Sequence, residues 1–381
     1  MIKILNIIDA RPQIIKAAAI SRAIKNNFAN KIEDIIVHTG QHYDKNMSDI
    51  FIDEMNIPQP KYNLNIGSGS HGSQTAAMIK GIEEIILSEK PNAILLYGDT
   101  NSTLAGAIAA SKLHYPVIHI EAGLRSFNKK MPEEINRITC DHCSTLLFTP
   151  TETGLFNLNN EGFNITAKAP FTIDNPAVFH CGDVMYDNSL YFSKISSTKY
   201  DISKMHNVKS NNYILATIHR DNNTDNPKRF ESIIRAIIDI TESNKIDAII
   251  PLHPRTSKIL SQDLNSALFQ KISNSKYIKI VPPASFLEMI ELERNASIIL
   301  TDSGGVQKEA FFFKKPCLIL RSETEWVELV ENGNAVICDA DYHKIIDNYN
   351  VMNKKNDFSW SNIFGNGKAS EFICEKIIET I

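Results

Sequence analysis

Three acidic residues stand where an apolar run or a helix turn would place them at the mouth of a site: Asp99 in Y-G-D-T, Glu121 in I-H-I-E-A-G and Glu133 in M-P-E-E. A carboxylate directly after I-H-I is poorly placed unless it is paired or used. Gathered on one wall, such groups raise one another's pKa and separate into acid and base, which is what proton transfer requires. A complementary donor set follows other apolar runs: Arg11 and Lys16, His219-Arg220 in T-I-H-R, His253 in L-H-P-R, and Arg321. Ser303-Gly304-Gly305 closes the run S-I-I-L-T-D. Adjacent glycines let backbone N–H groups approach a ligand, and a helix N-terminus favours an anion, so a diphosphate is the guest this turn suggests. Each feature also has a plain structural use. Asp99 could cap a helix, Glu133 and Glu134 could answer a helix dipole, and S-G-G could be a capped tight turn. Only the set as a whole argues for chemistry.

The elements that would position these residues alternate regularly. Strands are expected at 3–8, 34–38, 93–97, 117–120 and 145–148, with helices at 14–25, 47–55, 74–89, 104–113 and 132–143. G-S-G-S-H-G (67–72) reads as a loop, and so does the Asn-rich stretch 157–164. An irregular zone over 164–201 marks a boundary, after which the alternation restarts. Strands follow at 213–218, 247–252, 278–281, 298–300, 316–320 and 335–338. Helices follow at 228–242, 286–293, near 306 onward, 325–331 and after 370. Strand–helix alternation at this spacing means parallel βαβ units with helices on both faces of each sheet. The expected architecture is therefore α/β, two Rossmann-like doubly wound domains, at 1–181 and 182–364. Ligands of such sheets bind beyond the carboxyl ends of the strands, which places the expected active-site cleft between the domains.

Composition narrows the class. The 381 residues are 43% hydrophobic and 22% charged, with a formal net charge of −4. That describes an ordinary globular protein and argues against a nucleic-acid or membrane-surface binder. Cys140 and Cys143 form the sole C-x-x-C among six cysteines, two ligands short of the usual zinc site. The start M-I-K-I-L-N-I-I-D has a strand pattern and no signal-peptide pattern, so the expected setting is cytoplasmic.

Longer motifs are more specific. A-R-P-Q-I-I-K, H-T-G-Q-H-Y-D, Y-G-D-T-N-S-T-L-A, E-A-G-L-R-S-F-N-x-x-M-P-E-E-I-N-R, T-I-H-R, L-H-P-R-T, D-S-G-G-V-Q-K-E-A and E-T-E-W-V-E span the chain. Together they resemble the non-hydrolysing UDP-N-acetylglucosamine 2-epimerases, whose two-domain architecture is of the GT-B type. The resemblance implies abstraction of the C2 proton with anti elimination of UDP, a bound glycal, and re-addition of UDP after reprotonation from the other face. It assigns Asp99, Glu121, Glu133 and His219 to catalysis. Arg11, Lys16, Arg220, His253, Ser303, Gly304, Gly305, Glu309 and Arg321 would contact the UDP-sugar, Glu309 at the ribose. It implies no nicotinamide, since no hydride moves, and no essential metal. A homodimer, a C-terminal helix over about 365–381 packed back on the first domain, and a role in surface polysaccharide precursors are further implications. An allosteric site near Gln41 and His42 is another.

Three positions depart from the family pattern: Asp9 before the R-P motif, Asn222 after T-I-H-R, and Asn366 in F-G-N-G. The A-R-P-Q and E-T-E-W-V-E variants are similar to a subgroup that includes 2-epimerases of UDP-2,3-diacetamido-2,3-dideoxyglucuronate. That substrate is the alternative to UDP-N-acetylglucosamine. More distant alternatives are a GT-B glycosyltransferase, a hydrolysing epimerase, and a silent UDP-sugar sensor.

Overall fold

In the computed structural model, residues 1–9, 11–40, 55, 57–252 and 266–381 are described. The helix expected over 47–55 lies outside them, Met55 apart. The chain forms two compact units, Met1–Asn188 with Asn362–Ile381, and Ser189–Ser361. The C-terminal helix Ala369–Thr380 thus belongs to the first unit, where it packs on the helix Arg11–Ala23. Asp187 fixes its start by accepting from the backbone N–H groups of Ala369 (3.1 Å) and Ser370 (2.8 Å).

The first unit is built on one parallel sheet. Its strands among the described residues are β1 (Ile2–Ile8), β2 (Ile32–His38), β3 (Tyr62–Asn63), β4 (Ala93–Tyr97), β5 (Val117–Ile120), β6 (Leu146–Thr149) and β7 (Ala177–His180). They lie in the order β3-β2-β1-β4-β5-β6-β7. The second unit repeats the plan with β8 (Tyr213–Thr217), β9 (Asp247–Pro251), β10 (Ile278–Val281), β11 (Ile298–Thr301), β12 (Cys317–Ile319) and β13 (Ala335–Ile337). Their order is β10-β9-β8-β11-β12-β13.

Central strands of such a sheet are covered on both faces and read as continuous apolar runs, as A-I-L-L-Y and I-I-L-T do. Helices supply the two cover layers, and residues such as Met78, Ile82 and Ile86 pack against Leu5, Val37 and Leu96. In each unit the strand order reverses once, between β1 and β4 and between β8 and β11. Diverging connections there leave a crevice at the carboxyl edge, the general ligand position of doubly wound sheets.

Several segments differ from the sequence expectation. Residues 71 and 72 open the helix His71–Glu89, because Ser70 caps it by accepting from Ser73 N. The first half of the Asn-rich stretch, 157–160, lies in the helix Glu152–Asn160, capped by Thr151. Asn157 is accommodated there by donating to Gly123 O at 2.9 Å, a tertiary partner that offsets its low helix propensity. The irregular zone contains the helix Val184–Lys199, which carries the chain from one unit to the other. The helix Tyr342–Lys354 covers β12 and lies on the helix Pro227–Asn244.

Candidate active site

In the first unit the carboxyl ends of β1, β4 and β5 bring the expected residues together. The helix Asn101–Lys112 takes Thr100 as its N-cap, with the side chain accepting from Thr103 N. Asp99 is thereby released from the capping role and stands at the strand edge. Glu121 follows β5 with φ +74°, a left-handed conformation that costs a non-glycine residue about 1–3 kcal/mol. Its backbone N–H donates to Phe148 O at 3.1 Å, which holds the strained turn in place.

The strain turns the Glu121 carboxylate onto Lys16, with which it forms an ion pair; both side chains are about nine-tenths buried. Gly98, at φ +59°, lies directly against this pair. A Cβ there would sit 3.1 Å from both Glu121 Oε2 and Lys16 Nζ, a tight contact that would press on the pair, and the positive φ favours glycine as well. Glu133 sits in the first turn of the helix Pro132–His142 and is half-buried. Arg11 opens the helix Arg11–Ala23 with its side chain exposed, and Asp9 is fully buried at the end of β1.

Asp99 shows that the cluster is electrically coupled. Although 30% of its side chain meets solvent, desolvation by the surrounding protein is the largest influence and raises its pKa. The Arg137 and Lys16 cations pull it down, while the Glu121 and Glu133 carboxylates push it up again. The outcome is a carboxyl above its ordinary range beside a carboxylate with a cation in contact, the pairing that separates acid from base. Arg137, absent from the expected site, is central here. It binds Asp99 on one side and Glu134 Oε2 (2.8 Å) on the other. Its signal was the helical spacing in M-P-E-E-I-N-R, where 134 and 137 share a face. Glu134 also accepts from the backbone N–H groups of Ser126 and Phe127, both at 2.9 Å, and so braces the R-S-F-N loop.

Arg137→Met removes the largest opposing cation and is expected to raise the Asp99 pKa further. The limb of the pH–rate profile that reports Asp99 should move to higher pH, measured as kcat across pH 5–10. An unmoved profile would exclude Asp99 as the titrating group.

The second unit supplies backbone donors and cations. His219 and Arg220 follow β8 with exposed side chains. Their position is set by Asp302, fully buried after β11, whose carboxylate accepts from His219 N (3.0 Å), Arg220 N (3.1 Å) and Asn223 Nδ2 (3.0 Å). Asp302 is thus a second residue outside the expected set.

The helix after the turn is Gly304–Phe312, beginning earlier than expected, with Ser303 at its N-cap and making no side-chain cap bond. Neither glycine has positive φ. A Cβ at Gly304 would lie 2.4 Å from Glu325 Oε1, so any larger residue displaces that carboxylate. At Gly305 a Cβ would meet only Ser303 Oγ, at 3.9 Å, which leaves the ground before the helix N-terminus open. Glu325 also accepts from Arg321 at 3.0 Å, placing that cation beside the same turn. Glu309 is buried one turn further along the helix. His253, Gln41 and His42 lie outside the described residues. All six cysteines are free, Cys140 and Cys143 included.

Residues 24–378 match the family model described as UDP-N-acetylglucosamine 2-epimerase, and the chain belongs to that family. It is 50% identical to a UDP-N-acetylglucosamine 2-epimerase homolog of Methanococcus maripaludis, with 98% of each chain covered. It is 45% identical, again over 98% of each, to the UDP-2,3-diacetamido-2,3-dideoxy-D-glucuronate 2-epimerase of Pseudomonas aeruginosa. Among solved structures it is similar to the Methanocaldococcus jannaschii UDP-GlcNAc 2-epimerase in complex with UDP-GlcNAc and UDP. That likeness has a TM-score of 0.84 and 43% identity, covering 99% of this chain and 100% of the other. The two doubly wound units are accordingly of the GT-B type that the motifs imply.

Proposed function

We propose that the protein interconverts the C2 epimers of a UDP-2-acetamido sugar without releasing the sugar, UDP-N-acetylglucosamine and UDP-N-acetylmannosamine being the pair. The observation that carries the reading is the Asp99–Glu121 cluster, in which one carboxyl is pushed up by burial while the other holds a lysine. One carboxylate takes the C2 proton as the C1–O bond to UDP breaks. The electron pair of the C–H bond becomes the C1=C2 double bond, and the diphosphate departs with the C1–O electrons. The Ser303–Gly305 turn, Arg321, Arg220 and His219 stabilise that leaving group, while Glu309 holds the ribose. Return of a proton to C2 from the opposite face, with re-addition of UDP at C1, gives the epimer. Arg11, Glu133 and His253 complete the site in this reading. The steps need neither hydride transfer nor a metal, so no cofactor is assigned. Family membership supports a cytoplasmic homodimer that feeds polysaccharide synthesis.

The Pseudomonas relative supports a second substrate, the UDP-diacetamido uronate, since the chain resembles it as strongly as it resembles the N-acetylglucosamine enzyme of solved structure. Incubation with each UDP-sugar, followed by ion-exchange separation and NMR, tests both. The expected result is a UDP-linked 2-epimer of equal mass from UDP-N-acetylglucosamine. Turnover of the uronate alone would reassign the substrate. Free UDP with free sugar would make the protein a hydrolase, and no turnover of either would overturn the reading.

A further inference from the structure

A fully buried histidine lies directly behind the acid–base cluster and takes no part in the chemistry above. His119 is the third residue of β5, two before Glu121, and its side chain is 0% exposed. Nδ1 lies 2.6 Å from Asp141 Oδ1, and Nε2 lies 2.8 Å from the carbonyl oxygen of Gly98. A carbonyl oxygen can only accept. Asp141 is itself held as an acceptor, taking Gly123 N–H at 3.1 Å and Arg125 Nη1 at 2.8 Å on its other oxygen. The Arg125 cation in contact favours Asp141 as a carboxylate, and with that carboxylate both ring nitrogens of His119 face acceptors and both carry protons.

The charges close on the same answer. His119, Asp141, Arg125 and Glu161 form an alternating chain, in which Arg125 also binds Glu161 through two bonds of 2.7 Å. With a neutral imidazole this chain would hold an excess negative charge in the interior; with an imidazolium it is balanced. Burial disfavours the cation, yet the neighbouring Cys140 and Asp141 side chains outweigh it and hold the imidazole pKa well above its ordinary value. Asp141 is correspondingly held below its own usual range, with His119 and Arg125 overcoming its burial.

The cation acts on the turn that carries Asp99. Gly98 N–H donates to Ile120 O at 3.0 Å, and Gly98 C=O accepts from His119. The Asp99 carbonyl in turn accepts from Asn136 Nδ2 at 2.9 Å. Gly98 is also the residue packed against the Lys16–Glu121 pair. We infer that His119 is a permanently protonated positioning residue, whose imidazolium clamps the Gly98–Asp99 turn of β4 to β5 and so fixes the distance between Asp99 and Glu121. The inference rests on the reading of those two carboxylates as the acid–base pair.

Long-range 15N–1H correlation of histidine-labelled protein, assigned with His119→Gln, reads the protonation directly. Both His119 nitrogens are expected at imidazolium positions and unchanged from pH 6 to 9; a singly protonated ring at pH 8 would overturn the inference. Asp141→Asn, which keeps the shape and removes the charge, should convert His119 to a neutral ring that titrates and should lower kcat as His119→Gln does; a neutral ring with wild-type kcat would overturn the clamp. In steady-state kinetics, His119→Gln should lower kcat by about 10-fold or more with KM within about 3-fold, as misplacement of a catalytic group does. A wild-type kcat in folded His119→Gln would contradict a positioning role. Absence of turnover in wild type would defeat the functional reading instead, and the NMR result alone would then decide the state of His119.

Discussion

Glu121→Gln is expected to lower kcat by about 10²-fold or more while UDP binding is retained, since losing one member of the proposed acid–base pair costs roughly 10²–10⁴ in rate. Glutamine keeps the volume and can accept one hydrogen bond, but it can neither take a proton nor neutralise Lys16. The lysine ammonium, about nine-tenths buried, would then rely on the weaker field of Asp99. A stability loss of about 3 kcal/mol is expected from leaving one partner of such a pair uncompensated. The backbone strain at φ +74° persists in the variant, so stability does not recover through relaxation of the turn. Single-turnover kinetics with UDP-N-acetylglucosamine, alongside calorimetric titration with UDP, separates the two effects. A variant with near-normal kcat would remove Glu121 from the chemistry.

The second large effect is expected at Asp302. Its carboxylate is fully buried and is satisfied by the backbone N–H groups of His219 and Arg220 and by Asn223. Hydrogen bonds to a charged acceptor contribute about 1.5–3 kcal/mol each, and Asp302→Ala leaves the donors buried behind the turn without their partner. A stability loss of about 3 kcal/mol is expected, with at least 10-fold weaker UDP binding as the T-I-H-R turn loses its anchor. His219→Ala, by contrast, truncates an exposed side chain and leaves the buried Asp302 bonds to the backbone in place, so its stability loss should be smaller than that of Asp302→Ala. Denaturation and UDP titration of the two variants distinguish a residue that builds the turn from one proposed to meet the ligand.

What the sequence shows clearly here is what periodicity and long motifs encode. The strand ends carrying Asp99, Glu121, His219 and Ser303 are visible because each follows a largely apolar run buried on both faces, although His119 interrupts β5. Hidden elements are those whose local chemistry misleads. The helix Glu152–Asn160 is rich in asparagine and stands on a Thr151 cap and one tertiary bond. The helix Val184–Lys199 has a weak apolar stripe and sits where chain irregularity marked a domain boundary. Site residues that escape notice act through others: Arg137 on Asp99, Asp302 on two backbone amides, and His119 on a carbonyl. Their partners lie 38, 83 or 21 positions away in the chain, so no local pattern joins them. The role of glycine also changes at the anion turn. Gly304 answers Glu325 across the packing, a contact that the S-G-G motif alone does not reveal.

In the proposed reaction a carboxylate of the first unit removes the C2 proton, and solvent exchanges with it before the sugar is rebuilt. Incubation of the protein with UDP-N-acetylglucosamine in D2O, followed by proton NMR, tests it directly. Loss of the H2 signal from the UDP-sugar pool is expected, with deuterium at C2 in both epimers and no accumulation of free UDP. Epimerisation with the C2 proton retained, or full retention of H2 with no epimer formed, would contradict it.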